Sequence, residues 1–130
     1  VGDASTVFDR ELTNQVTRLV RSYAERNAGT QWQRKLMDGG SCEATAFGAY
    51  GYRATSLSLP LGNYHNMVDI DGVLAGGRPA RVGPEYVSLD DFHGLVALLG
   101  HVAPRLGEAG EATLQERLDE LYEAERAVLD

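Results

Sequence analysis

A short run of small and reactive residues, Gly39-Gly40-Ser41-Cys42-Glu43, is the first place where this sequence could support chemistry. Glycines between a strand and a helix let backbone N–H groups approach a ligand, and a helix N-terminus favours an anion or a developing oxyanion. A ligand or a developing oxyanion could therefore approach Gly39, Gly40 and Ser41. A tight turn that needs positive φ angles is the alternative reason for the glycine pair. Glu43 would lie in the first helical turn, where the helix dipole favours an acid whether or not it contacts a substrate.

His65 is the second candidate, and it follows Gly62-Asn63-Tyr64 at an expected turn. Histidine is the commonest metal ligand and a proton carrier near neutral pH. Loops that follow neighbouring parallel strands share one sheet edge, where ligands bind in open α/β sheets, so we expect His65 on the same rim as the glycine pair. Catalysis by Cys42, with His65 as its base, is an alternative that has no identifiable third group.

Composition and motifs narrow the classes of function. The net charge of −7 disfavours binding to nucleic acid or to an anionic membrane surface, and no apolar run is long enough for a membrane span. One cysteine cannot form an internal disulfide, so a reducing cytoplasm is expected. The chain has no His-Glu-x-x-His, Cys-x-x-Cys or phosphate-loop motif, and His93 and His101 fit the surface or boundary of a helix.

Apolar spacing indicates the elements that would position these loops. A helix is predicted from Asp9, as its N-cap, to Asn27, followed by a strand over 31–37, a helix over 41–51 and a strand over 54–59. A long loop is predicted over residues 66–84, with a short hairpin inside 68–74. Ser88 and Asp91 suggest a helix start, and this helix would end near Pro104. Its predicted buried stripe consists of Phe92, Leu95, Val96 and Leu99.

The predicted fold class is α/β, with a partial mixed sheet flanked by helices. Residues 1–130 would form a single domain or a fragment, with 107–130 as a terminal acidic helix that begins near Glu111. A sheet of two or three strands is too small to cover the apolar stripes of the predicted helices. In addition, Val1 is not preceded by methionine. We therefore expect a fragment of a longer protein.

Two segments, GGSCEATAFGAYGYRATSLSLPLGNYHN and the later EYVSLDDFHGLVALL, together resemble one known family. They are similar to the C-terminal part of the catalytic domain of co-catalytic zinc exopeptidases, which include glutamyl and tetrahedral aminopeptidases with carboxypeptidase and deacylase relatives. Those proteins have a Gly-Gly-Thr/Ser turn after a strand, a strand ending in histidine, then Glu-x-Val and a helix. The resemblance runs from the start of the chain to the helix near Leu99.

This resemblance implies a metallopeptidase, a hydrolase with two zinc ions or other divalent metals. By position, His65 matches the family's last metal ligand, and Gly39, Gly40 and Ser41 match the turn that lines the substrate site. Glu85 matches the acid that follows the histidine, in a supporting or structural role. Cys42 stands near a position where many relatives have Asp, and Glu43 would take over that acid's substrate contact.

Three further features of the family are absent: its His-x-Asp motif, its bridging Asp and its Glu-Glu pair. The resemblance therefore implies an inactive C-terminal fragment, whose partners are a peptide or N-acyl amino-acid substrate, the missing N-terminal half and further copies in a homo-oligomer. The alternative is a non-catalytic α/β binding or oligomerisation module, in which the acidic C-terminal helix and the apolar stripes serve association.

Overall fold

Helices dominate the chain in the computed structural model, which describes residues 1–37, 39–107 and 114–129. Contacts divide it into two compact units, one formed by Val1–Ser56 with His101–Asp130 and the other by Leu57–Gly100. The helices are α1 (Arg10–Arg26), α2 (Glu43–Ala49), α3 (Ile70–Leu74), α4 (Leu89–Val102) and α5 (Leu114–Leu129), with short 3₁₀ turns at Tyr64–Asn66 and Ala103–Arg105.

Helix α1 forms as its sequence predicts. The side chain of Asp9 accepts a hydrogen bond from the Leu12 N–H at 2.6 Å and thereby caps the first turn. Val16 and Val20 are buried on the predicted apolar stripe, and Phe8 is buried just before the helix. The N-cap and the core-facing side of α1 are therefore confirmed.

The predicted mixed sheet is wrong. Within the described residues, pairing is limited to four isolated bridges: Gly2 with Val7, Asp3 with Met37, Gly62 with Tyr86 and Met67 with Val82. The predicted strand over 31–37 is exposed, and its backbone bonds reach Val1 and Gly2. Alternating residues favour an extended backbone but supply no neighbouring strand, and a ladder needs one.

The segment 54–59, predicted as a second strand, forms hydrogen bonds with the start of α1 instead. The Asp9 N–H donates to the Ala54 carbonyl at 3.0 Å, and the hydroxyls of Thr13 and Thr55 are 2.8 Å apart. This segment therefore runs beside the beginning of α1, and no bridge is assigned to any of its residues.

The predicted loop over 66–84 is more ordered than expected. Its proposed hairpin at 68–74 is wrong, because Ile70–Leu74 forms α3. The two flanks of the loop pair with each other instead: the Val68 N–H donates to the Arg81 carbonyl at 3.1 Å, and the Gly83 N–H donates to the Asn66 carbonyl at 3.0 Å. Residues 62–68 and 81–86 therefore run antiparallel and are joined by two isolated bridges, a pairing that we call the 62–86 ladder.

Helix α4 starts where the sequence indicates but buries a different face. The Asp91 N–H donates to the Ser88 hydroxyl at 3.4 Å, just before the first turn. Leu98 and Val102 are buried, whereas three of the four predicted stripe residues are exposed: Phe92 by 47%, Val96 by 54% and Leu99 by 46%. The helix is apolar on most sides, so spacing alone does not determine which face is covered.

Helix α5 begins at Leu114, so residues 111–113 of the predicted helix lie outside the described residues. Its apolar side chains are also exposed, among them Leu114, Leu118, Leu121 and Tyr122. Of the helices described, none has the length and apolar character required to cross a membrane.

Candidate functional site

The glycine turn at 39–41 is fastened to the beginning of the chain. The Ala4 N–H donates to the Gly40 carbonyl at 3.0 Å, and the hydroxyl groups of Ser5 and Ser41 are hydrogen-bonded. Directly after the turn, the Cys42 N–H donates to Oδ2 of Asp3 at 2.9 Å. These contacts fix the turn at the start of α2, where the sequence predicts it.

Asp3 is the centre of this arrangement. Its Oδ1 accepts from the N–H groups of Ser5 and Thr6 at 2.9 and 3.0 Å, and its Oδ2 accepts from the Thr45 hydroxyl as well as from Cys42. The side chain is buried. The hydrogen bond from Thr45 and those from the backbone hold the pKa of Asp3 well below its usual range, although burial opposes them.

Sequence reasoning missed Asp3, although a signal was present. An aspartate whose carboxylate accepts backbone N–H groups two and three residues later forms an Asx-type turn, and Asp3-Ala4-Ser5-Thr6 has the composition of one. The long-range bonds from Asp3 to Cys42 and Thr45 carry no such local signal.

The glycine pair itself is unstrained. Neither Gly39 nor Gly40 has a positive φ angle, so the turn-geometry explanation for the pair is wrong. A methyl group built on either residue would meet no heavy atom within 4 Å. Within the described ranges, the N–H groups of Gly39, Gly40 and Ser41 donate to no protein acceptor. Adjacent free N–H donors of this kind can bind a carboxylate or an oxyanion.

Cys42 and Glu43 occupy the positions expected of them at the helix start. Cys42 is the N-cap residue of α2, and its thiol lies 3.7 Å from the Ser56 hydroxyl. Glu43 is the first residue of α2, and it is exposed. Cys42 belongs to the first unit and His65 to the second, and thiol catalysis by this pair stays a prediction.

His65 and Glu85, which the family resemblance matches to a metal ligand and to a supporting acid, are in contact within the second unit. The backbone N–H of His65 donates to Oε2 of Glu85 at 2.8 Å. His65 lies in the 3₁₀ turn Tyr64–Asn66 and has a φ angle of 53°. Glu85 therefore holds the backbone that carries the imidazole and is not bonded to the ring itself.

The His65 turn, residues 63–66, is held from both sides in an uncommon backbone conformation. The side-chain amide of Asn63 donates to the Pro84 carbonyl at 2.9 Å, and that of Asn66 donates to the Gly83 carbonyl at 3.1 Å. Asn63 and Asn66 also have positive φ angles, of 52° and 61°. Asparagine tolerates this region better than other non-glycine residues. For histidine the cost is about 1–2 kcal/mol, and strain of this kind is concentrated at functional sites.

The imidazole of His65 is accessible. Its ring centroid lies 4.1 Å from that of Tyr64 at an interplanar angle of 50°, and the residue is exposed. In the part of the chain that the structure describes, neither ring nitrogen has a hydrogen-bond partner. An imidazole presented in this way can ligate a metal or carry a proton.

The described residues do not complete a metal site. No group of three or more His, Cys, Asp or Glu side chains converges among residues 1–37, 39–107 and 114–129. Zinc in proteins takes three or four protein ligands, so His65 by itself does not fit a zinc centre.

One cleft in the second unit was not indicated by the sequence. It has a volume of about 230 Å³ and is lined by Val68, Asp69, Arg78, Pro79 and Arg81. Arg78 and Asp69 form an ion pair at 2.7 Å. The first unit has a cleft of similar size near α2, about 240 Å³, lined by Thr6, Val7, Phe8, Asp9, Ala44, Gly48, Tyr52 and Ala54.

Comparison of the chain with protein-family models, with curated proteins and with solved structures gives no match. The resemblance to zinc exopeptidases stays a prediction from the glycine-turn and Glu-x-Val segments of the sequence.

Proposed function

We propose that this chain supplies a metal-ligating histidine, His65, and a substrate-binding turn, Gly39-Gly40-Ser41, to a zinc-dependent exopeptidase or related amidohydrolase. The observation that carries the proposal is the bond from the His65 N–H to Glu85, which fixes a strained backbone while leaving both ring nitrogens available. The family resemblance matches His65 to a metal ligand and Glu85 to a supporting acid. The remaining metal ligands would come from polypeptide outside the described residues, because these residues do not complete a site.

The glycine turn supports the same proposal from the other unit. Its three N–H groups have no acceptor within the described ranges, and neither glycine is required by backbone geometry. Glycine at these positions is explained if a ligand approaches the backbone closely. The turn would then bind the carbonyl oxygen of a peptide or N-acyl amino acid, and Glu43 would contact a positively charged group of that substrate. We keep the cytoplasm as the proposed compartment because the chain has one cysteine.

The proposal is tested on the native polypeptide that contains these residues, captured with an antibody raised against the chain. Metal content is measured by elemental analysis, and turnover by release of amino acids from short peptides. His65→Ala should remove about one metal ion per chain and lower kcat/KM about a hundredfold or more, because a catalytic metal that loses a protein ligand is bound too weakly to activate its water.

His93→Ala is the matched control, since His93 is also exposed but lies on α4. It should change neither the metal content nor the turnover. Full metal occupancy and turnover in His65→Ala would refute the proposed role. So would robust peptidase activity of the 130-residue chain alone with zinc, because the described residues hold too few ligands.

A binding or oligomerisation module is the second candidate, and the exposed apolar surface of α4 and α5 favours it. Leu89 is 72% exposed and Val96 is 54% exposed on α4, and Leu121 is 58% exposed on α5. Apolar surface of this extent on a helix indicates contact with another polypeptide. The missing half of an exopeptidase and a partner of a non-catalytic module would each provide such contact.

The behaviour of the chain alone separates these two candidates. A cooperative thermal melt, a single sedimenting species and weak binding of a hydrophobic dye would favour a self-sufficient module. Strong dye binding and a broad melt would favour a part that needs the remainder of an enzyme.

A further inference from the structure

The cleft in the second unit has an excess of positive charge. Two of its five lining residues are arginines, Arg78 and Arg81, and one is an acid, Asp69. Arg78 is paired with Asp69 at 2.7 Å. Among the described residues, the Arg81 side chain has no hydrogen-bond or ion-pair partner. The cleft therefore retains one positive charge that is not neutralised.

The cleft is built on the same ladder that holds His65. The Val68 N–H donates to the Arg81 carbonyl at 3.1 Å, and the Gly83 N–H donates to the Asn66 carbonyl at 3.0 Å. Arg81 and Glu85 thus lie on one segment of the 62–86 ladder, and Val68 and the 3₁₀ turn that carries His65 lie on the other. Backbone pairing fixes the positions of Arg81 and His65 relative to each other.

We propose that this cleft binds the carboxylate of the substrate, with Arg81 as its recognition residue. A guanidinium group presents parallel N–H donors that match the two oxygens of a carboxylate. The single excess charge suits a monoanion better than a phosphate dianion. Arg78, held by Asp69, lines the cleft beside Arg81, and Val68 and Pro79 provide apolar contact for the adjoining carbon atoms. The assignment to substrate rests on the proposed function, whereas the binding of a carboxylate does not require it.

The experiment uses the 130-residue chain without metal, so that it is independent of turnover. Nitrogen-15 spectra of the arginine Nε–H groups are recorded while N-acetylglycine is added, and separately with its methyl ester and with inorganic phosphate. We expect saturable shifts at Arg81 with N-acetylglycine and none with the ester. Phosphate should bind more weakly than N-acetylglycine.

Arg81→Gln should weaken N-acetylglycine binding about tenfold or more, because hydrogen bonds to charged groups are among the stronger ones. Arg21→Gln, the same change on the exposed side of α1, should leave binding unchanged. Equal binding of the methyl ester, or equal affinity in wild type and Arg81→Gln, would overturn the proposal. Tighter binding of phosphate than of N-acetylglycine would also overturn it, in favour of a phosphate site.

These outcomes are separable from those of the metal test. If His65→Ala leaves the native polypeptide fully active while Arg81 still binds N-acetylglycine, the metal-ligand role of His65 fails and the carboxylate site stands. If the shifts at Arg81 are absent while His65→Ala loses metal, the carboxylate site fails and the metal-ligand role stands.

Discussion

The turn at 39–41 and the His65 turn reach their shapes by opposite means. The first has two glycines, neither of which needs a glycine conformation, and is tied down by the buried carboxylate of Asp3. The second has positive φ angles at three non-glycine residues, Asn63, His65 and Asn66, and is held by the exposed carboxylate of Glu85. An acid distant in sequence accepts a backbone N–H in each case, from Cys42 directly after the first turn and from His65 within the second.

This contrast shows what residue type does and does not reveal about a loop. The glycines at 39 and 40 suggest a turn with positive φ angles. The positive φ angles occur instead in the His65 turn, at asparagine and histidine. If strain is not the reason for the glycines, close approach of a ligand is the remaining physical reason for them. The proposed substrate contact and the proposed metal contact therefore rest on different kinds of evidence.

Removing the carboxylate of Asp3 should have the largest effect on stability. Asp3→Ala leaves four donors without their acceptor, namely the N–H groups of Ser5, Thr6 and Cys42 and the hydroxyl of Thr45. We expect the urea midpoint at pH 7 to fall further than in the glycine and Glu85 variants, because unmatched buried donors are costly. Unfolding is followed by circular dichroism.

The effect of pH should identify the charge of Asp3 as the cause. Its folded pKa is lowered, so its contribution to stability is present above the unfolded pKa of about 3.9 and is lost as pH falls. Wild type should therefore lose stability below about pH 4, and Asp3→Asn should lose less over the same range. Asp90→Asn, an exposed control on α4, should follow wild type. A parallel decline in Asp3→Asn would contradict the assignment.

Two glycine substitutions test whether the 39–41 turn is unstrained. Gly51 has a φ angle of 84°, so Gly51→Ala should cost about 1–2 kcal/mol. Gly40→Ala should change the free energy of unfolding by no more than about 0.5 kcal/mol, because its added methyl group meets no atom. Urea titration of both variants gives the comparison. Similar large losses in the two would show that Gly40 is strained after all.

The bond that fixes the His65 turn should give an effect that is confined to that turn. Glu85→Ala removes the acceptor for the His65 N–H, so hydrogen exchange at that amide should accelerate about fivefold, as expected for a bond of about 1 kcal/mol. Glu85→Gln keeps a carbonyl acceptor and should remain close to wild type. An unchanged rate in Glu85→Ala would mean that the turn is held by its two asparagines alone.

Helices and caps could be predicted from the sequence because their signals are local. Asp9 and Ser88 both mark helix starts, and the apolar spacing from Val16 to Val20 indicates the buried side of α1. The family resemblance singled out both His65 and Glu85, and the structure adds a bond from the His65 N–H to Glu85, while their roles stay predictions.

The lack of a sheet among the described residues and the presence of the arginine cleft could not be predicted, because both depend on which segments meet. An extended segment such as 31–37 becomes a strand only beside a partner, and the described chain supplies it with one bridge, between Asp3 and Met37. The buried face of α4 could not be predicted for the same reason. Leu98 is buried and Phe92 is exposed, although both are apolar. Arg81 lines the cleft beside Val68 because the two residues are hydrogen-bonded across the 62–86 ladder, and the sequence does not indicate this pairing.

The left-handed backbone at His65 also limits which replacements the position can sample. Valine, isoleucine and threonine are the least tolerated there, whereas glycine, asparagine and aspartate suit the conformation. A library randomised at this codon and selected only for a folded product should thus be depleted of valine, isoleucine and threonine.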